Sequence, residues 1–440
     1  MKRNTNKGDR GLTRREFLGR GANTVAIAAA APLAPLFLSG CDTGPPEQEA
    51  VKVGILHSQT GTMAISEISL VDMEIMAIEE INAAGGVLGR KIQPVIEDAR
   101  SRPADIFPKK AAKLLQEDQV AAVFGCWTSA ARVAVKPVFE QHNGLLFYPL
   151  QYEGNECSRN IVYTGLAPNQ QILPAIDWLF SGAGGGRRRF YLLGSDYIYP
   201  RTANHIIRSY VADAEREVVG EAYTALGERD YLAVVDDIVA SNPDVIFSTL
   251  NGYTNVYFYR ELAQRGITPQ QLPVFATSVG EDELRGLLPQ HVAGHLAGWS
   301  YFQTVDTPAN RAFVDRFKAE HGEDRVVSDP MEAAYSQVYL WKLAVEKAGS
   351  FDVDRVLEAF GQRIEFDAPG GRIMVDPKTL HTYKPFLIGR IRDDRQFDIV
   401  FETSTWIEPD PYPPLAFPGW SCDWTRGGVT EGERVSIRKA

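Results

Sequence analysis

Histidine and cysteine are both scarce, seven and four in 440 residues, and that scarcity argues against several chemistries at once. A metal-dependent hydrolase needs several His and carboxylate ligands converging on one ion. Here His57, His142, His205, His291, His295, His321 and His381 are scattered along the chain. Only His291 and His295 share helical i,i+4 spacing, and Val292 stands where a zinc-protease motif requires Glu. That pair reads as a surface or loop feature, and neither metal nor cofactor is expected. Gly-x-Ser-x-Gly does not occur. Cys126 follows a strand-like run, but no activating base can be named beside it, and a buried cysteine ordinarily packs as a small hydrophobe. No catalytic residue is therefore assigned. Apart from Cys41, the cysteines are Cys126, Cys157 and Cys422. Three are too few for a disulfide framework, although one bridge among them stays open.

Positive charge is short as well. Of 46 basic and 56 acidic residues, seven basic and two acidic ones lie in residues 1–40, leaving 39 against 54 in the rest. A surface that acidic argues against nucleic acid as a partner and does not steer anions, but it is silent on neutral solutes. Long apolar runs are lacking too. The longest, Ala22 to Leu38, is interrupted by Pro32 and Pro35 and is too short to read as a transmembrane span. Before it, Thr13-Arg14-Arg15-Glu16-Phe17-Leu18 matches the twin-arginine export pattern, with Arg14 and Arg15 as the address. After it, Leu38-Ser39-Gly40-Cys41 looks like a bacterial lipobox, in which Cys41 is acylated. Residues 1–40 thus read as a signal peptide and 41–50 as a tether. The expectation is a periplasmic protein attached to a membrane through that lipid alone.

What the chain has in quantity is alternation. Strand-like runs at Val51–Leu56, Ile92–Ile96, Ala121–Phe124, Leu145–Phe147, Phe190–Leu193, Val218–Tyr223, Val245–Thr249, Val274–Ala276 and Leu296–Ser300 are separated by helical stretches. In the first of these, residues 66–84, Leu70, Met73, Ala77 and Ile81 fall at three- and four-residue spacing. Further helices are expected over 103–118, 128–142, 169–180, 201–216, 229–241 and 253–264, with Pro137 kinking or breaking its own. This pattern argues for an α/β protein with parallel, doubly wound sheets, and two of them, since one would carry too many strands. The run Gly182 to Arg189 follows a helix and lacks Gly-x-Gly-x-x-Gly, so it reads as a solvated turn. Tyr383–Arg392 and Gln396–Glu402 read as an antiparallel pair, Pro409–Pro418 as a surface run, and 411–440 as a C-terminal tail.

The stretch from Phe124 to Gln171, FGCWTSAARVAVKPVFEQHNGLLFYPLQYEGNECSRNIVYTGLAPNQQ, carries the strongest functional signal. Two apolar runs each end in a cluster of hydroxyl and aromatic residues, which is how an open α/β sheet builds a ligand crevice at the carboxyl ends of its strands. With GSDYIYPRTAN (Gly194 to Asn204), STLNGYTNV (Ser248 to Val256), GHLAGWSYF (Gly294 to Phe302) and DPMEAAY (Asp329 to Tyr335), these residues resemble the urea- and short-chain-amide-binding proteins of bacterial ABC transporters. Those proteins sit within the larger family of branched-chain amino acid receptors. The resemblance implies a type I periplasmic binding protein, two lobes joined by a three-strand hinge, with crossovers near residues 168, 300 and 350. Lobe one would be 51–168 plus 300–350, and lobe two 169–299 plus 351–410.

Urea is planar and neutral, with one carbonyl and four N–H donors, and a site that excludes water must satisfy all of them. The hydroxyls of Thr128, Ser129, Tyr148 and Tyr197 both donate and accept, and the rings of Trp127, Tyr148 and Tyr152 suit a flat solute. The resemblance puts Trp127, Ser129, Tyr148 and Tyr197 on pocket-lining positions, with Gln151, Tyr152 and Glu153 beside them and Asn251 as the lobe-two candidate. Trp127-Thr128, Leu150-Gln151, Asn251-Gly252 and Gly298-Trp299 lean towards urea. Tyr253-Thr254 and Ser300 depart from that pattern and keep short-chain amides open. The resemblance implies capture by hinge closure and delivery to ABC permease subunits. An amide receptor or sensor is the alternative, and a urea or amide hydrolase ranks last.

Overall fold

The computed structural model describes residues 49–431. The export pair Arg14 and Arg15, the lipidation candidate Cys41, nearly all of the tether, and 432–440 lie outside the described residues. The strands, in chain order, are β1 (Val51–His57), β2 (Ile92–Asp98), β3 (Val123–Gly125), β4 (Leu146–Tyr148), β5 (Ile161–Tyr163), β6 (Arg189–Ser195), β7 (Glu217–Thr224), β8 (Val245–Thr249), β9 (Val274–Ala276) and β10 (Leu296–Trp299). They continue with β11 (Glu365–Ala368), β12 (Gly371–Val375), β13 (Thr382–Tyr383), β14 (Leu387–Ile391), β15 (Phe397–Glu402), β16 (Ser421–Asp423) and β17 (Gly428–Thr430).

The first sheet has the order β2-β1-β3-β4-β5 and is parallel throughout. Its central strands are apolar on both faces because helices cover both. Leu70, Met73, Ala77 and Ile81 of helix Ala64–Ala83 share a core with Val338, Trp341 and Val345 of helix Asp329–Ala348. The second sheet has the order β15-β14-β10-β9-β8-β6-β7, parallel from β10 to β7, with β14 and β15 added antiparallel. Period-two alternation divides its side chains between two cores: Phe190, Leu192 and Phe247 enter one, Tyr191, Leu193 and Ile246 the other. The fold is therefore the expected one, two doubly wound parallel lobes. Helix Ser129–Gln141 runs through Pro137 without a break.

Two readings differ from the sequence expectation, and one left open is decided. The chain leaves the first lobe after β5 and returns after β10, but its third crossing lies at about residue 384. Helix Val353–Phe360 and strands β11 to β13 bury Val356, Phe360, Ile373 and Val375 in the first core instead of the second. The run Pro409–Pro418 is no surface segment either. Tyr412, Ala416 and Phe417 are buried in the second lobe, where Tyr412 stacks on Trp420 at 5.7 Å between ring centres. Lastly, Cys157 and Cys422 form a disulfide with 5.5 Å between their Cα atoms, and Cys126 remains a buried free thiol. Among the described residues no helix is long and apolar enough to cross a membrane.

Candidate functional site

The carboxyl ends of the parallel strands of both sheets face one another across a crevice, and backbone geometry aims the side chains there. At the end of β3, Gly125 lies so close to β1 that a Cβ would stand 2.2 Å from the Leu56 carbonyl oxygen. Only glycine fits this approach. The chain then turns through Cys126 in the left-handed region (φ 65°). The Thr128 hydroxyl accepts from the Ala131 N–H at 3.1 Å and caps helix Ser129–Gln141. Ser129 and Arg132, three residues apart, thereby project from one face of the first turn.

Arg132 is fully buried and organises the first-lobe wall. Its Nε donates to Glu156 Oε1 and its Nη2 to Glu153 Oε1, both at 2.9 Å, while Nη1 donates to Ser129 Oγ at 3.1 Å. Ser129 in turn donates to Glu153 Oε2, and Tyr163 to Glu156 Oε1 at 2.7 Å. The guanidinium lies 5.0 Å from the ring centre of Tyr148 and 4.5 Å from that of Tyr152. Burial works against ionised Glu156, but Arg132 and Lys136 outweigh it and hold the carboxyl below its usual range. Burial pushes the phenols of Tyr148, Tyr152 and Tyr163 upward and keeps them neutral. It drives His381 down to about 3, so this ring is neutral as well. The Tyr152 hydroxyl therefore donates to His381 Nε2 at 2.5 Å while Nδ1–H donates to the Thr379 carbonyl at 2.8 Å.

From the second lobe come Tyr197, just ahead of helix Ile198–Asp213, and Tyr199, whose hydroxyl bonds Thr277 Oγ1 at 2.8 Å. Burial raises the Tyr197 hydroxyl well above its ordinary range. The Tyr197 ring packs on the second-lobe core, 6.3 Å from the ring centre of Tyr199. Gln151 crosses the crevice: its Nε2 donates to the Thr277 carbonyl at 3.0 Å and to Ser278 Oγ at 3.1 Å. Its Oε1 is buried with no partner among the described residues. A second inter-lobe contact, Ser66 Oγ to Glu283 Oε1 at 3.3 Å, borders a cavity of about 20 Å³ at the crevice mouth.

The structure joins Ser129 and Tyr148 through Arg132 and links Gln151 to the second lobe, with Tyr197 on the second-lobe core and the partly buried Trp127 at the edge of the first. Tyr148 donates its proton to the Trp127 carbonyl at 2.7 Å, which leaves its oxygen as an acceptor. It does not bring all eight candidates to one point. Thr128 is occupied as a helix cap. Tyr152 packs against Tyr163 and His381, at 5.0 and 5.5 Å between ring centres, and those two rings stack on each other at 4.1 Å. Asn251 closes its own loop, donating to the Thr249 carbonyl at 3.0 Å. The sequence reading missed Arg132, Glu156, Tyr199, Thr277 and Ser278. For Arg132 the one available signal was its i+3 spacing from Ser129. Elsewhere, His295 lies in a loop, one of the two placements expected, but is buried there: its Nδ1 accepts the Val274 N–H at 3.0 Å, and burial pushes it down to about 3.

Two lobes around one polar crevice, bridged by side chains from both, are the architecture of a solute-binding receptor. The family model for the periplasmic binding protein domain matches residues 51–416, and the chain belongs to that family. Family membership implies an extracytoplasmic location and a receptor, not an enzyme, one that hands small molecules to an ABC permease. Over 344 residues the chain is 23% identical to the Leu/Ile/Val-binding protein homolog 6 of Brucella melitensis, covering 76% of this chain and 85% of that one. It is 23% identical over 338 residues to the leucine-, isoleucine-, valine-, threonine- and alanine-binding protein of Pseudomonas aeruginosa, covering 75% and 87%. A 33% identical match to limonene hydroxylase of Geobacillus stearothermophilus is confined to 126 residues, 29% of this chain and only 22% of that protein. Among solved structures, a solute-binding protein of Rhodopseudomonas palustris BisB5 in complex with 3,4-dihydroxybenzoic acid superposes with a TM-score of 0.71 at 20% identity, covering 82% and 99%. A branched-chain amino acid binding protein of Streptococcus pneumoniae in complex with isoleucine gives 0.69 at 18%, covering 82% and 100%.

Proposed function

We propose that this protein captures urea and delivers it to an ABC permease. The observation that supports urea over the ligands of the relatives is the pairing of charge in the first-lobe wall. Its cation, Arg132, is already bonded to Glu153, Glu156 and Ser129. The carboxylate of an amino acid or a benzoic acid would need a free cation there, and an ammonium a free anion. What remains suits a neutral solute with paired N–H donors and a carbonyl: the Tyr148 oxygen, the unpartnered Gln151 Oε1, the second lone pairs of Glu153 and the Tyr197 hydroxyl. Ser129, Tyr148, Gln151 and Tyr197 are the contacts we assign, with the Trp127 ring as a flat wall. A short aliphatic amide can use the same contacts and lay its methyl on an aromatic ring, so acetamide is the second reading.

Isothermal titration of the purified protein with urea, acetamide, formamide and leucine tests this. Urea is expected to bind one to one and more tightly than acetamide, with no heat from leucine. Leucine binding with silence toward urea would refute the reading.

Delivery from outside the cytoplasm also rests on the leader, which we assign as a twin-arginine signal ending at a lipidated Cys41. Changing Arg14 and Arg15 to Lys is expected to hold the protein in the cytoplasm, and Cys41→Ala to release it from the membrane fraction. Unchanged fractionation would remove both assignments.

A further inference from the structure

We infer that Glu153 sets the charge class of the solute, so that the crevice admits neutral urea and refuses planar anions of the same shape, such as acetate and bicarbonate. This builds on the urea reading of the crevice. Urea, acetate and bicarbonate are all flat, three-armed molecules of nearly equal size, so shape alone cannot separate them. Charge can, and the structure shows how it is balanced.

Arg132 bonds Glu153 and Glu156, and Lys136 lies 3.5 Å from Glu156, which makes two cations against two anions. Beside this network, Glu67 and Glu74 act on Cys126 and pair with His57, where burial opposes the charge but the two acids raise the ring to about 9. The phenols of Tyr148, Tyr152 and Tyr163 and the thiol of Cys126 are raised by burial, and His381 is lowered to about 3. Within this network Glu153 stands two residues from Gln151, whose side chain bonds the Thr277 carbonyl and Ser278 of the second lobe. Each of the Glu153 oxygens accepts one bond, from Arg132 and from Ser129. The lone pairs left over accept N–H groups and repel a second carboxylate. Without the Glu153 charge, Arg132 would carry a buried surplus positive charge, a state relieved by a bound anion that fits its fork geometry.

Glu153→Gln keeps the shape and removes the charge. In titration calorimetry at pH 7.5 the wild type is expected to bind urea and to give no heat with sodium acetate or bicarbonate. Glu153→Gln should lose about 10- to 150-fold in urea affinity, the range for a hydrogen bond to a charged group. It should also gain acetate binding, which general damage to the site would not produce. Glu153→Asp retains the charge and is expected to go on refusing acetate. A folded Glu153→Gln protein that refuses acetate, or a wild type from which acetate displaces urea, overturns the inference. Should Glu153→Gln fail to fold, the wild-type competition decides: urea retained under a large excess of acetate supports the rule. The two readings fail separately. A wild type silent toward urea with a variant that takes up acetate removes urea and keeps the charge rule. A urea-binding wild type with a variant that is weak for urea and closed to acetate does the opposite.

Discussion

Arg132→Met will cost the protein about 3–5 kcal/mol of stability and abolish measurable urea binding. The side chain is fully buried, bonds Glu153, Glu156 and Ser129, and lies over the Tyr148 and Tyr152 rings. Met fills similar space, so the loss comes from charge, not from a cavity. Two buried carboxylates lose their cation, and the partly exposed Lys136 touches only Glu156. Guanidinium chloride unfolding should show a lower midpoint with an unchanged slope, which separates a stability change from a change in denatured-state compactness. Neutralising the orphaned acids as well, in Arg132→Met with Glu153→Gln and Glu156→Gln, should recover part of the loss, because the penalty belongs to the unpaired charges. A single variant with a wild-type midpoint would mean that the network contributes nothing to the fold.

Cys157→Ser will have the second largest effect, about 2–5 kcal/mol, because the Cys157–Cys422 bridge closes a loop across 265 residues of sequence. The functional consequence follows from where it closes. The segment between β4 and β5 carries Gln151, Glu153 and Glu156, and the C-terminal region holds it from outside. The Asn155 N–H donates to the Pro411 carbonyl at 2.7 Å. At Gly154 (φ 69°) a Cβ would stand 2.2 Å from that same oxygen. Without the bridge one of these restraints is gone, and urea affinity should fall together with the unfolding midpoint. Dithiothreitol should shift the wild-type midpoint and leave Cys157→Ser with Cys422→Ser unmoved. An equal shift in both proteins would show that the bridge does not carry the effect.

How legible this molecule is from its sequence depends on the length of the pattern. β1, β6 and β8 announce themselves because buried parallel strands are continuous apolar runs between glycines and polar turns. β5, three residues inside a polar segment, gives no such run, and it was missed. The third crossing was misplaced because amphipathicity shows that helix Val353–Phe360 has a buried face but not which core receives it. The tail was misread because its prolines suggested a surface run, whereas burial of Tyr412 and Phe417 decides the matter. Pocket aromatics and hydroxyls could be named from the strand–cluster–helix pattern and from family resemblance. Arg132 could not, since a charged residue on an amphipathic helix looks solvated until its acidic partners, 21 and 24 residues onward, fold back over it. The disulfide was equally opaque, because three cysteines offer several pairings and no local pattern selects one.

The central claim is that urea sits between the lobes on neutral donors and acceptors, with Arg132 already paired to Glu153 and Glu156. A crystal structure of the mature protein grown with urea and without other solutes tests it most directly. We expect a flat three-armed density between Tyr148 and Glu153 on one side and Tyr197 on the other, with Gln151 bridging to Thr277 and Arg132 still bonded to both glutamates. An amino acid or organic acid retained there, with its carboxylate on a freed Arg132, would contradict the account.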